Sequence, residues 1–262
     1  MRGGVIMATK IIDLSETIVP NSPSEPWPAK ITYLDHRYGA QEMRERFGVD
    51  PKDLVYSKGL GWSYEFLEAM THTGTHLDAP WHFHPVVEGR LAKTIDEIPL
   101  EWCFSDGVVL DMRHKKPGEF ITIEDLKAEL ERINYQIKPF DIVLIMTGAD
   151  KRMGTKEYFL QPGMSREATL WLIDQGVKIT GIDAYTWDRP FSSMAKDYQE
   201  TKDGSCIWPA HFAAIEKENC HIEKLANLDK IPRPFGFKVA VFPIKIFKAS
   251  AGWVRAVAII ED

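Results

Sequence analysis

Residues 72–84 read His72-Thr73-Gly74-Thr75-His76-Leu77-Asp78-Ala79-Pro80-Trp81-His82-Phe83-His84 and hold four of the chain's eight histidines. A helix would set His72 and His76 on one face but turn Asp78 about 200° from His76. In an extended chain, side chains two and four residues apart share a face. The Thr-Gly-Thr composition and Pro80 also oppose a helix. The stretch is therefore expected to run extended and end in a turn, so that His72, His76 and Asp78 converge. Two imidazoles and a carboxylate suit Zn²⁺ or Mn²⁺ and leave positions open for water and substrate. A row of surface histidines is the plain alternative, and the crowding of so rare a residue argues against it. Parity alone places His84 near the same point.

Around this stretch, strands and helices alternate. Residues 11–19 read as a short strand, and Pro20, Pro23, Pro26 and Pro28 then hold a non-helical segment. Apolar runs predict strands over 108–112, 141–147 and 177–183. The tail predicts two more, 237–247 and 253–260, joined by a turn near 250–252. Ile123, Leu126, Leu130 and Ile133 fall at helical spacing, with Thr122 to cap the first turn. A second helix is expected over 166–175, capped by Ser165 and stopped at Gly176. The pattern is that of an α/β chain rich in β, a single domain over residues 11–262 preceded by an N-terminal extension of residues 1–10. No GxGxxG follows a strand, which disfavours a plain Rossmann domain.

Composition narrows the function. The 262 residues are 44% hydrophobic and 27% charged, enough for a sizeable core. A net charge of −6 and the lack of any dense basic stretch argue against a nucleic-acid partner. The short runs 113–116 and 245–248 read as solvated surface. No segment approaches the roughly 20 apolar residues of a membrane span, and no signal peptide is evident. Cys103, Cys206 and Cys220 form no CxxC pair, so a cytoplasmic setting with free thiols is expected.

The stretch HTGTHLDAPWH closely resembles the HxGTHxDxPxH motif of the cyclase-like metal-dependent hydrolases, which include bacterial kynurenine formamidase and isatin hydrolase. Further stretches are similar to that family: Ile12 to Thr17 to its opening strand, Gly181-Ile182-Asp183 to its GID segment, and Val254-Arg255-Ala256 to its closing strand. His211 is followed twelve positions later by Glu223, in the run Glu-Lys-Leu-Ala-Asn-Leu. That run resembles the family's His…Glu pair within an E-x-L-x-N-L motif. The resemblance implies a swivelling β/β/α fold and one or two divalent metals per chain. It implies that His72, His76 and Asp78 hold the first metal, that Asp78 bridges to a second held by His211 and Glu223, and that His82 is the catalytic histidine. It also implies a homodimer or homotetramer. Two departures bear on the substrate. Asp183 is followed by Ala-Tyr-Thr-Trp-Asp188 where many relatives carry a serine, and the 188–206 stretch is longer and more polar than in the formamidases.

Together these features lead us to expect a metal-dependent hydrolase that opens a small amide, an aryl formamide or a cyclic amide, by metal-activated water. His82, with an ordinary pKa of about 6.5, suits the proton transfer that an amine leaving group demands. Trp62, Trp81, Phe83 and Trp187 are candidates for an aromatic substrate wall. A cupin-like metal dioxygenase is the alternative enzyme, with His82 and His84 as its His-x-His pair, and a metal- or ligand-binding protein of the same fold is the non-enzymatic one. Retention of His82 beside the ligands favours catalysis, because a storage site needs no general acid.

Overall fold

Strand parity organises the main sheet of the computed structural model, which describes residues 9–261. Nine strands take part: β1 (Thr9–Asp13), β2 (His76–Asp78), β3 (Phe104–Asp111), β4 (Ile142–Met146), β5 (Ile179–Ile182), β6 (Cys220–Glu223), β7 (Phe235–Ala240), β8 (Ala251–Trp253) and β9 (Val257–Glu261). They lie in the order β1-β9-β7-β3-β4-β5-β6-β2-β8. The central four, β3 to β6, are parallel, and the flanking pairs are antiparallel. The fold is mixed α/β and β-rich, as expected.

The parallel strands β3 to β5 are largely apolar on both faces, as burial on both sides requires, whereas β6 is apolar on one face only. On one face Val108, Leu110, Val143 and Ile145 meet Leu126 and Leu130 of helix α3 (Ile123–Ile133) and Ala168 and Leu172 of helix α4 (Arg166–Asp174). On the other, Val109, Ile142, Leu144 and Ile222 share a core with Ile12, Val239, Ala258 and Ile260. The caps act as their residue types predict: Thr122 accepts from Asp125 N, and Ser165 from Ala168 N.

The described chain divides into two compact units, one of the described residues up to Ile18 with Thr71 onward, the other Val19–Met70. The second unit pairs Lys30–Leu34 with Tyr64–Glu68 as an antiparallel hairpin and adds helix α1 (His36–Phe47). Here Gly39 is required by close approach, since a Cβ would lie 1.9 Å from the Trp62 carbonyl oxygen.

Several expectations shift. Thr9 and Lys10, read as part of the extension, pair with Glu261 and Ile260, while residues 1–8 lie outside the described residues. The first strand ends at Asp13 rather than 19. Residues 241–250 are loop, not strand. Around the histidines, only His76–Asp78 is a strand, and the turn precedes it: Gly74 takes φ 64°, a left-handed value that glycine adopts freely.

Asp183 closes β5 and ties it to β4. It is buried and accepts from Thr147 N (2.7 Å), Thr147 Oγ1 (2.6 Å) and Gly148 N (2.8 Å). Burial pushes its carboxyl up to about 7, against the pull of these three donors. Asp183→Ala leaves two backbone N–H groups without their acceptor, and each such loss costs about 1–3 kcal/mol. The expected result is an unfolding free energy lower by roughly 2–4 kcal/mol, read by urea denaturation. A change below about 0.5 kcal/mol, the range of neutral surface substitutions, would remove Asp183 from this role.

Candidate metal centre

Register brings the acidic and imidazole groups together. In the antiparallel pairing of β6 with β2, Glu223 stands opposite His76 and His221 opposite Asp78, with Ile222 opposite Leu77. Alternation sends Leu77 and Ile222 into one core, so His76, Asp78, His221 and Glu223 share the other face. Two short helices complete the group. Helix α2 (Pro80–Phe83), opened by Pro80 at its first position, carries His82. Helix α6 (Pro209–Ala213) carries His211. His72 enters from the turn before β2.

The donor atoms converge. His72 Nδ1 lies 2.8 Å and His76 Nε2 3.2 Å from Asp78 Oδ1. Glu223 places Oε2 3.8 Å from His76 Nε2 and Oε1 3.2 Å from His211 Nε2, which is itself 3.9 Å from Asp78 Oδ2. Asp78 and His76 are fully buried. Within this crowd His76 Nε2 and both Asp78 oxygens have no hydrogen bond of acceptable geometry. Two groupings, His72–Asp78–His82 and His76–Asp78–Glu223, each bring their ligand atoms within 4.8 Å of one another.

The rings of His72, His76 and His211 are held from their far side. His72 Nε2 bonds Ser250 Oγ at 3.0 Å, His76 Nδ1 donates to Gly74 O at 2.8 Å, and His211 Nδ1 donates to Asp188 Oδ2 at 2.6 Å. Asp188 also accepts from Ala210 N and His211 N, so one carboxylate fixes both the start of α6 and the ring it carries. Trp187 N donates to Glu223 Oε1 at 2.8 Å. This is the arrangement that orients metal ligands and sets their tautomers.

Electrostatics follow from burial and these partners. Burial alone would raise Asp78, but His82, His72 and His76 outweigh it and hold the carboxyl well below its usual range. Burial pulls His211 down, yet Asp188 and Glu223 push it up to about 10. His82 has no such partner: burial, assisted by His72 and His211, brings it to about 4 against the pull of Asp78. Its ring is therefore neutral near pH 7. It packs 4.1 Å from the His72 ring and 5.9 Å from that of His211.

His72, His76, Asp78, His82, His211 and Glu223 thus meet, and His84 does not. Its Nδ1 turns to Val86 O at 2.7 Å on the exposed side, so no His82–His84 pair forms. Of the aromatic candidates, Phe83 packs on His221 (4.9 Å) and His211 (5.6 Å). Trp187 is fully buried, stacks on His221 and gives its indole N–H to Thr169, which makes it packing beneath the imidazoles rather than an open wall. Trp81 is exposed. Trp62 belongs to the other unit, where it bonds Glu42 at 2.7 Å.

Sequence reading missed His221 and Asp188. His221, buried and bonded to Thr180 Oγ1 at 2.7 Å, was legible in principle, being two residues from Glu223 on one strand face. Asp188 carries no spacing signal, because its partner lies 23 residues away across a helix and a loop.

The Cyclase family model, described as "Putative cyclase", matches residues 12–189. The chain is similar to isatin hydrolase from Roseibium aggregatum, 26% identical over 262 residues covering 96% of this chain and 92% of that one. It is also similar to kynurenine formamidase from Salinibacter ruber, 26% identical over 250 residues covering 94% of this chain and 96% of that one. Among solved structures, an isatin hydrolase bound to the product analogue thioisatinate matches with a TM-score of 0.75 at 20% identity, covering 97% of this chain and 93% of that one. That last likeness is one of fold.

Asp188→Ala takes the shared acceptor from three donors and leaves the buried His211 without its charged partner. Breaking such a pair costs roughly 3–5 kcal/mol, a loss expected in urea denaturation of metal-free protein, with Asp188→Asn recovering part of it. A loss below about 1 kcal/mol would mean that Asp188 does not hold α6.

Proposed function

The chain belongs to the Cyclase family, and from that membership and the geometry of the centre we propose that it is a divalent-metal hydrolase acting on a small carbon–nitrogen amide bond. The observation that carries this reading is the set of buried donor atoms left without hydrogen bonds, His76 Nε2 and both Asp78 oxygens. Buried polar atoms are rarely left so, and a cation of the Zn²⁺ or Mn²⁺ kind satisfies imidazole nitrogen and carboxylate oxygen together. His72, His76 and Asp78 would hold one metal; Asp78, His211 and Glu223 would hold a second where two bind. When bound, the metal brings the pKa of water toward about 7 and polarises a carbonyl oxygen.

The protein's own part is proton handling and orientation. His82, neutral and beside the centre, accepts a proton from the attacking water and returns it to the departing nitrogen. Asp188 and Gly74 O keep the His211 and His76 rings turned so that Nε2 faces inward. The substrate class we favour is an aryl formamide or cyclic amide. It is supported by full-length similarity to an enzyme named for isatin, a cyclic amide, and to a formamidase.

Two outcomes test this reading. Asp78→Ala removes the carboxylate shared by both groupings, so elemental analysis should find bound metal lost together with activity. A full metal complement in that variant would refute the ligand assignment.

His82→Ala should retain metal yet lose roughly 10²- to 10⁴-fold in turnover of amides. Metal-loaded wild type supplies the reference, with N-formylkynurenine and isatin followed by ultraviolet absorbance. Esters, whose leaving oxygen departs without prior protonation, should lose less. Equal losses on amide and ester would count against proton transfer by His82, and turnover of aliphatic substrates alone would end the aryl assignment.

A further inference from the structure

Beside the centre lies an apolar cleft of about 270 Å³, lined by Phe191, Met194 and Ala195 of helix α5 (Phe191–Thr201) and by Ile207 and Trp208. It contains no charged group. Clefts for drug-sized molecules run about 300–1,000 Å³, so this one fits a single ring. Trp208 links it to the centre. Its indole stacks on His211 at 4.3 Å and 9°, and meets His82 edge-on at 5.1 Å.

Trp208 is also backbone-strained. It sits at φ 55°, ψ 39°, a left-handed conformation that is a genuine outlier for so bulky a residue and persists only where the surroundings over-determine it. Its N–H reaches Met194 Sδ at 3.2 Å, tying the strained turn to α5. Its indole nitrogen is buried and has no hydrogen-bond partner among the described residues. The fold thus holds one large aromatic that stacks on a candidate ligand and also lines an apolar cleft.

We propose that this cleft binds the uncharged aryl ring of the substrate, with Trp208 as the wall that sets the distance between that ring and the scissile carbonyl. The site of the carbonyl rests on the metal-hydrolase reading; the cleft and its affinity for a ring do not. A ring that itself carries a charge finds no partner in this lining, and an uncharged ring gains apolar contact together with aromatic stacking.

The test uses the full chain labelled with 5-fluorotryptophan, the Trp208 resonance being assigned by its loss in Trp208→Phe. Metal-free protein is titrated with formanilide and with formamide, which lacks the ring. The Trp208 resonance should shift saturably with formanilide and not with formamide. Ala195→Phe fills the cleft from an exposed helix position and Ala195→Glu charges it; both should abolish the shift. In metal-loaded protein, either variant should lower the ratio of kcat/KM for formanilide to that for formamide by on the order of 10- to 200-fold, as pocket contacts of this size do. An unshifted Trp208 resonance in wild type, or an unchanged response and ratio in both variants, overturns the cleft assignment even if amides are hydrolysed. A shift lost in both variants, in a protein that hydrolyses no amide, upholds the cleft and defeats the hydrolase reading.

Discussion

Asp78 and Glu223 are two carboxylates buried side by side, on adjacent antiparallel strands of one sheet face. Taking such charges out of water costs several kcal/mol per ion unless each is paired and hydrogen bonded. The compensation comes from the rings of His72, His76 and His211 and from the backbone N–H of Trp187. Each helper is fixed in turn, by Ser250, by the Gly74 carbonyl and by Asp188. The polar centre is therefore a chain of dependencies that begins with two acids no apolar core would tolerate alone.

What fixes those acids in place is the apolar part of the same strands. Leu77 and Ile222 stand opposite each other and enter the core behind the sheet. A slip of one residue in either strand would send a carboxylate into that core and a leucine or isoleucine into the centre. The register of the functional residues is thus enforced by residues with no chemistry of their own. The same logic places Thr180 on β5, one residue along from the core residue Ile179, where its hydroxyl meets His221.

Legibility in the sequence tracked how local each determinant is. Helices α3 and α4 could be read to within a residue, because their caps Thr122 and Ser165 and their apolar spacing lie in one short window. The alternation of His76, Leu77 and Asp78 was equally local, whereas a turn was expected only at the end of the stretch and the left-handed one at Gly74 stands before the strand. His211 and Glu223 entered only through family resemblance, since strand pairing across 147 residues leaves no periodic trace between Glu223 and its partner His76. Asp188 and the cleft along α5 were invisible for the same reason. The tail misread as one strand over 237–247 shows the opposite error: Phe242, Ile244 and Phe247 are apolar yet exposed loop residues, and hydrophobicity there marks surface rather than sheet.

Backbone strain gathers around the same centre. Trp208, Lys224 and Asn227 all adopt positive φ, each at a cost of about 1–3 kcal/mol for a residue other than glycine. At Lys224 the strain has a visible return. The left-handed turn ends β6 directly after Glu223 and lets the buried ammonium reach the His72 carbonyl at 2.9 Å. At Trp208 the turn lays an indole flat on His211. Conformations this costly survive only where surrounding packing outweighs them. The two cores of the sheet therefore do more than stabilise the fold: they hold side chains where unconstrained backbone would not leave them.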